Sequence, residues 1–205
     1  MDAGRDSVLE WATAFAPMPG ESDTGDLGLV VSTAVGALVA VIDGAGHGPG
    51  ATRAAQAAAS EIVDHRDEPV EHLFELCHEI LRRTRGAVMT LASIDAEAQR
   101  MSWAGVGDVD GVLVREASPR QWLVARGGVV GFQLPPLYCS SLALAPGDVL
   151  ILTTDGIQEG FADRLDCRGP ATQIVDQVLA RSFRGTDDAL VLAARYLGPG
   201  GRSCS

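Results

Sequence analysis

Two apolar runs end in the same dipeptide: Val41-Ile42 leads into Asp43-Gly44, and Leu152-Thr153-Thr154 leads into Asp155-Gly156. A third acidic pair, Asp187-Asp188, immediately precedes a closing apolar run, and Gly25-Asp26 precedes another. Any one of these would read as an ordinary turn facing water. Carboxylates recurring at the ends of several core strands are a different matter, because clustered anions repel one another and need a counter-charge. Oxygen donors of this kind suit hard divalent cations such as Mg2+ or Mn2+. The chemistry such ions support is the activation of water for attack on an electrophile.

Composition narrows the choice. The 205 residues carry 27 acidic and 16 basic side chains, for a net charge of −11. A basic face able to displace counterions from phosphates is therefore not expected, nor is a nucleic-acid partner. Every basic side chain other than histidine is arginine, which excludes lysine Schiff-base chemistry and a phosphate-loop lysine. Cys77, Cys139, Cys167 and Cys204 stand apart without a Cys-x-x-Cys pair, so reduced thiols are expected rather than disulfides or a zinc site. No apolar run approaches the length of a membrane span, and the stretch Met1 to Met18, with Asp2, Asp6 and Glu10, does not read as a signal peptide. The expected location is cytoplasmic, with no membrane partner.

The elements that position the acids follow from periodicity. Val8 to Ala16, Leu27 to Ser32 and Ala37 to Ile42 read as strands, the third apolar almost throughout and so buried on both faces. Pro49 opens an alanine-rich helix with Ala51, Ala54, Ala55, Ala58 and Ile62 on one face, ended by Asp64 to Pro69. Val70, Leu73, Phe74, Cys77 and Leu81 mark a second helix. From Ala87 the period changes towards two, and Ala87 to Ile94, Met101 to Val106, Gly111 to Arg115 and Gln121 to Ala125 read as a meander of strands. A strand over Val149 to Thr153, a helix over Ala171 to Arg181 and a strand over Ala189 to Tyr196 complete the pattern. These elements imply an α/β protein of the α+β type, with mostly antiparallel sheets covered by helices. One domain over residues 1–197 and a flexible tail over 198–205 are expected.

Four segments stand in a telling order. They are Asp43-Gly44-Ala45-Gly46-His47-Gly48-Pro49-Gly50-Ala51, then Gly105-Val106-Gly107-Asp108, then Thr153-Thr154-Asp155-Gly156-Ile157, then Asp187-Asp188-Ala189-Leu190-Val191-Leu192. Together they resemble the metal-dependent type 2C serine/threonine protein phosphatases, and most of all their bacterial SpoIIE-like branch of sporulation and stress-response enzymes. The resemblance runs from about Val8 to Tyr196. It implies an αββα sandwich of two mostly antiparallel sheets flanked by helix pairs. It also implies hydrolysis of phosphoserine and phosphothreonine by a water bridging two Mn2+ or Mg2+ ions.

Carried over by motif, the resemblance makes Asp43 the carboxylate bridging the ions and Gly44 a ligand through its carbonyl. Asp155 and Asp187 complete the centre, and Asp26 matches an acidic motif near the family's N-terminus. Asp187 is preferred to Asp188 because the first residue of that pair binds metal in the family; Asp188 is assigned to loop geometry. Asp108 stands where related sequences have asparagine or aspartate, and reads either as support for the ligands or as a turn cap. His47 is a catalytic candidate with two readings. Eukaryotic members carry a histidine directly after the Asp-Gly, where this chain has Ala45. His47 is therefore either a general acid, for which an imidazole is suited, or a residue that orders the glycine-rich loop. No arginine falls in a motif that would clamp phosphate; Arg53 reads as a solvated helix residue.

The resemblance covers nearly the whole chain, so no added sensor or anchor is expected. Its size, with the segment Gly131-Phe132-Gln133-Leu134-Pro135, resembles the small stand-alone feedback phosphatases of the bacterial stressosome. That implies phosphorylated STAS-domain scaffold and antagonist proteins as partners. Two alternatives stay open: a phosphatase that activates an anti-anti-sigma factor, and a catalytically inactive metal-binding docking protein. The retained Asp43, Asp155 and Asp187 speak against the second.

Overall fold

The computed structural model describes residues 1–18, 24–116, 118–163 and 165–199. The first half runs β1 (Asp2–Arg5), β2 (Leu9–Ala16), β3 (Asp26–Ser32), β4 (Gly36–Gly44), α1 (Pro49–Asp64), α2 (Val70–Leu81) and β5 (Ala87–Asp95). The second runs β6 (Arg100–Val106), β7 (Asp110–Val114), β8 (Gln121–Leu123), β9 (Ser140–Ala143), β10 (Val149–Thr153), α3 (Ala171–Ser182) and β11 (Ala189–Tyr196). The strands form two antiparallel sheets, ordered β1-β2-β11-β10-β7-β8 and β3-β4-β5-β6-β9.

Strand β4 shows why the sheets stack. Ala37, Val39 and Val41 enter the core between the sheets, whereas Leu38, Ala40 and Ile42 face α1 and α2. All six are fully buried. A strand covered on both faces loses its alternation and reads as a continuous apolar run. Burying each of the larger of these side chains contributes about 1.5–3 kcal/mol. The alanine face of α1 permits close approach to this sheet. In α2, Phe74 is fully buried in the same cluster, and its truncation to alanine would cost about 3–5 kcal/mol.

The inter-sheet core joins Leu150, Leu152, Leu190, Leu192 and Tyr196 of one sheet to Val39, Val41, Ile94 and Met101 of the other. The outer face of the first sheet is covered by α3 through Ile174, Val175 and Val178, together with Ile157, Phe161, Ala162 and Leu165 from the segment before it. Among the described residues this layer thus holds a helix and a packed irregular segment, where the resemblance implied a pair of helices.

Strands β1 and β9 are additions to the sequence-based expectation, and β8 stops at Leu123 rather than Ala125. Both added strands are short, polar edge pieces that pair with a neighbour, β1 with β2 and β9 with β6. Their sequences lack the alternation that marks a half-buried strand. The expected tail over 198–205 lies mostly outside the described residues, which end at Pro199. Among the described residues no helix is long and apolar enough to cross a membrane.

Candidate metal centre

Alternation carries each inter-sheet row of the sandwich to an acid or its neighbour. On β4 the row Ala37, Val39, Val41 continues to Asp43, and the register partner of Asp43 across the ladder is Asp26, the first residue of β3. On the facing sheet the row Leu150, Leu152 of β10 continues to Thr154, next to Asp155. The row Leu190, Leu192 of β11 runs back to Asp188, next to Asp187. Asp26, Asp43, Asp155, Asp187 and Asp188 consequently line one cavity of about 310 Å3, together with Asp108 after β6 and with Ala45, Gly46 and His47 after β4.

A larger hollow of about 1070 Å3 opens at the other end of β4, among the β3–β4 and β5–β6 turns. Two of its three carboxylates are spent on local backbone: Asp6 accepts from Val8 and Leu9, and Asp95 from Ala98. The smaller cavity is the one that gathers six aspartates from both sheets and their loops.

Burial is the largest influence on the acids at its base. It pushes Asp26 up to about 7, although the Thr154 hydroxyl bonded to it pulls the other way, and Asp188, Asp155 and Asp187 add repulsion. Burial likewise pushes Asp43 up to about 8, reinforced by Asp26, Asp155, Asp108 and Asp187. Asp155 is raised by burial, then by Asp108 and Asp187, with the Arg184 guanidinium opposing. Anions held this close to one another in partial burial are stabilised by a cation among them.

Two side chains without a metal role in the sequence-based reading hold the acids in place. Thr154, almost fully buried, donates its hydroxyl to the Asp26 carboxylate at 2.7 Å and accepts the Leu190 N–H at 2.8 Å. One hydroxyl thereby ties the two sheets together at the cavity. Asp188 is buried and accepts the N–H groups of Met18 at 2.8 Å and Gly25 at 3.1 Å, which shapes the chain leading into β3. Asp187 is exposed and takes the Asp188 N–H at 2.8 Å.

Both glycines of the Asp-Gly pairs mark close backbone approaches. A Cβ at Gly44 would run into the Ala51 carbonyl of α1, and a Cβ at Gly156 into the Asp188 carbonyl. The Gly44 N–H donates to the Gly25 carbonyl at 3.1 Å, which joins the two acidic motifs through the backbone.

His47 is exposed at the cavity lip, and its carbonyl accepts the Arg85 guanidinium at 3.3 Å. Arg85 lies against the same glycine-rich loop, within about 3 Å of where Cβ atoms on Gly46 and Gly50 would sit. Sequence reasoning missed Arg85, since nothing in Arg82-Arg83-Thr84-Arg85 distinguishes it from a solvated turn. His65 and His72 are engaged with Glu61 and Glu75 on their own helices, His78 accepts the Gly131 N–H, and Arg53 is exposed on α1.

The donors on offer are carboxylates and backbone carbonyls, hard oxygen ligands that fit Mg2+ or Mn2+ rather than a soft metal. Among the described residues no three His, Cys, Asp or Glu side chains already close into a ligand group. The repulsion that Asp26, Asp155, Asp108 and Asp187 each exert on Asp43 opposes such closure, and a divalent cation offsets it.

Comparison with known proteins agrees with this fold. Residues 34–197 match the family described as stage II sporulation protein E (SpoIIE). The phosphoserine phosphatase RsbX of Bacillus subtilis (strain 168) is 23% identical over 138 residues, covering 67% of this chain and 69% of RsbX. A structure solved in work on the bacterial stressosome, as a modular system adapted to control secondary messenger signalling, superposes with a TM-score of 0.84 at 32% identity. That match covers 91% of this chain and 99% of the other. RsbX in complex with magnesium superposes with a TM-score of 0.85 at 18% identity, over 95% of this chain and 98% of its own.

The fold is that of the type 2C protein phosphatases. The chain belongs to the SpoIIE family.

Proposed function

We propose that the protein dephosphorylates phosphoserine and phosphothreonine on STAS-domain stressosome proteins, as a negative-feedback enzyme of bacterial stress signalling in the cytoplasm. Residues 1–197 act in this reading as one catalytic domain. The observation that carries it is the gathering of Asp26, Asp43, Asp108, Asp155 and Asp187 on one cavity where the two sheets meet. The choice of substrate is supported by the likeness to RsbX and to the structure from the stressosome work.

Two Mn2+ or Mg2+ ions would be held by Asp43, Asp155, Asp187 and Asp26, with the carbonyl of Gly44. When bound, they supply positive charge against the phosphoryl oxygens and a water acidified for in-line attack on phosphorus. Asp43 would be the carboxylate shared between them, and its register partner Asp26 is oriented by the Thr154 hydroxyl. Asp188 keeps the chain before β3 against the cavity through its two backbone hydrogen bonds. His47 orders the glycine-rich lip, which Arg85 braces from outside. The oxygen of the attacking water bonds to phosphorus as the bond to the seryl or threonyl oxygen breaks, that oxygen takes up the proton the water gives up, and inorganic phosphate leaves.

Release of inorganic phosphate from a serine-phosphorylated STAS-domain protein, with Mn2+ and with EDTA, tests the reading. Turnover that requires the ion and disappears in Asp43→Asn is expected. Turnover undiminished by EDTA overturns the metal assignment, and hydrolysis of p-nitrophenyl phosphate alone overturns the substrate assignment.

A further inference from the structure

Large apolar side chains are exposed together in one region: Trp122 is 40% exposed, Val124 81% and Tyr138 66%. With Leu142 and Trp103 they line a groove of about 470 Å3. It opens between β8 and β9, the edge strands of the two different sheets. Two of its rings are already held in place. Trp122 meets Phe161 edge to face, with centroids 5.6 Å apart and planes at 82°. The Arg126 guanidinium lies 5.7 Å from the centre of the Tyr138 ring. Aromatic rings fixed in advance lose little freedom on binding and commonly anchor protein contacts.

Charge and position indicate the occupant. Among the described residues Arg126 is the sole charged group of the lining, in a chain whose net charge is −11. The groove therefore favours a carboxylate next to an apolar side chain. The Arg126 N–H donates to the Gly105 carbonyl at 2.9 Å, and its own carbonyl accepts the Gly107 N–H at 2.8 Å. Asp108, the next residue in the chain, lines the metal-centre cavity. The groove thus begins where the cavity wall ends, and a folded protein inserting a phosphorylated residue into the cavity has this rim as its neighbouring surface.

We infer that the groove docks the phosphoprotein substrate through a surface beside its phosphorylated residue that presents an apolar side chain next to a carboxylate. The apolar group meets Trp122, Val124 and Leu142, and the carboxylate meets Arg126. This rests on the phosphatase reading above and adds to it a recognition site separate from the metal ligands.

The test compares the wild-type protein with Val124→Glu and Tyr138→Ala on two substrates in Mn2+: a serine-phosphorylated STAS-domain protein and p-nitrophenyl phosphate. Both substituted side chains are more than half exposed, which protects the fold from either change. The expected result is a fall of about tenfold or more in the ratio of kcat/KM for the phosphoprotein to that for the aryl phosphate, carried mainly by KM. A ratio unchanged in both variants overturns the docking and leaves the phosphatase reading standing. Wild-type turnover of the aryl phosphate without the phosphoprotein overturns the proposed occupant. Turnover of neither refutes the phosphatase reading, and the docking site with it.

Discussion

Asp26 and Asp43 stand directly opposite each other across the β3–β4 ladder. Like charges at paired positions destabilise a sheet, and both carboxyls are pushed far above the usual range, Asp26 to about 7 and Asp43 to about 8, chiefly by burial. An apolar pair at the same positions would extend the inter-sheet core without that cost. The acids weaken the fold where they sit, and a cation bound among them would recover the loss.

The first prediction concerns the pH dependence of that cost. Both carboxyls hold their protons more tightly when folded than when unfolded. Their contribution to stability is therefore fully present below the ordinary value of 3.8 and is lost as pH rises through about 7 and about 8. In EDTA, the melting temperature of the wild-type protein should fall across this window. Asp43→Asn should fall less and be the more stable protein at the alkaline end. Parallel melting curves for the two proteins across the window would contradict the burial of Asp43 as an anion.

Metal binding should show the same acids from the other side. Since the ligands bind deprotonated, Mn2+ affinity should rise with pH through the range in which Asp26 and Asp43 titrate, with protons released on binding. Calorimetry in two buffers of different ionisation enthalpy measures that release. At saturating Mn2+, Asp43→Asn should lose at least about 10²-fold in turnover while keeping its far-ultraviolet circular dichroism. Near-normal turnover would remove Asp43 from the centre.

Thr154→Val separates support from ligation. The substitution leaves the Leu190 N–H without its acceptor and removes the donor to Asp26, a loss of about 1–3 kcal/mol of stability. Mn2+ affinity should drop by roughly 10 to 100-fold, the usual effect of removing a group that orients a ligand. Urea unfolding and a Mn2+ titration on the same variant check both, and unaltered metal affinity would confine Thr154 to a structural role.

The contrast between Asp43 and Thr154 marks how far the sequence is legible. Asp43 and Asp155 end apolar strands in Asp-Gly, a local signal that survives without any tertiary knowledge. The role of Thr154 depends on its facing an acid 128 residues earlier, which only the stacking of the sheets brings about. The start of β3 is similar. Its apolar run begins at Leu27, yet the ladder takes in Asp26 because the backbone of β4 extends far enough to pair with it. Strands β1 and β9 exist through pairing with β2 and β6, not through patterning of their own. Arg85 and the Trp122–Tyr138 groove are likewise products of packing, assembled from segments whose local sequence is unremarkable.

His47 has two readings that a substitution separates. Its carbonyl takes the Arg85 guanidinium, a bond that any side chain at position 47 could keep. If loop order is the contribution of this residue, His47→Gln should lose less than the factor of about 10² to 10⁴ that removal of a general acid costs, and both limbs of the pH–rate profile should remain. Arg85→Ala removes the guanidinium that the His47 carbonyl takes, a bond that His47→Gln keeps, so it tests the same lip from the other side and should lower turnover as well. The two substitutions should also be less than additive, because they loosen one loop. A larger loss in His47→Gln, with disappearance of the limb that reports an acid in its protonated form, would assign the imidazole ring to proton transfer on the leaving oxygen instead.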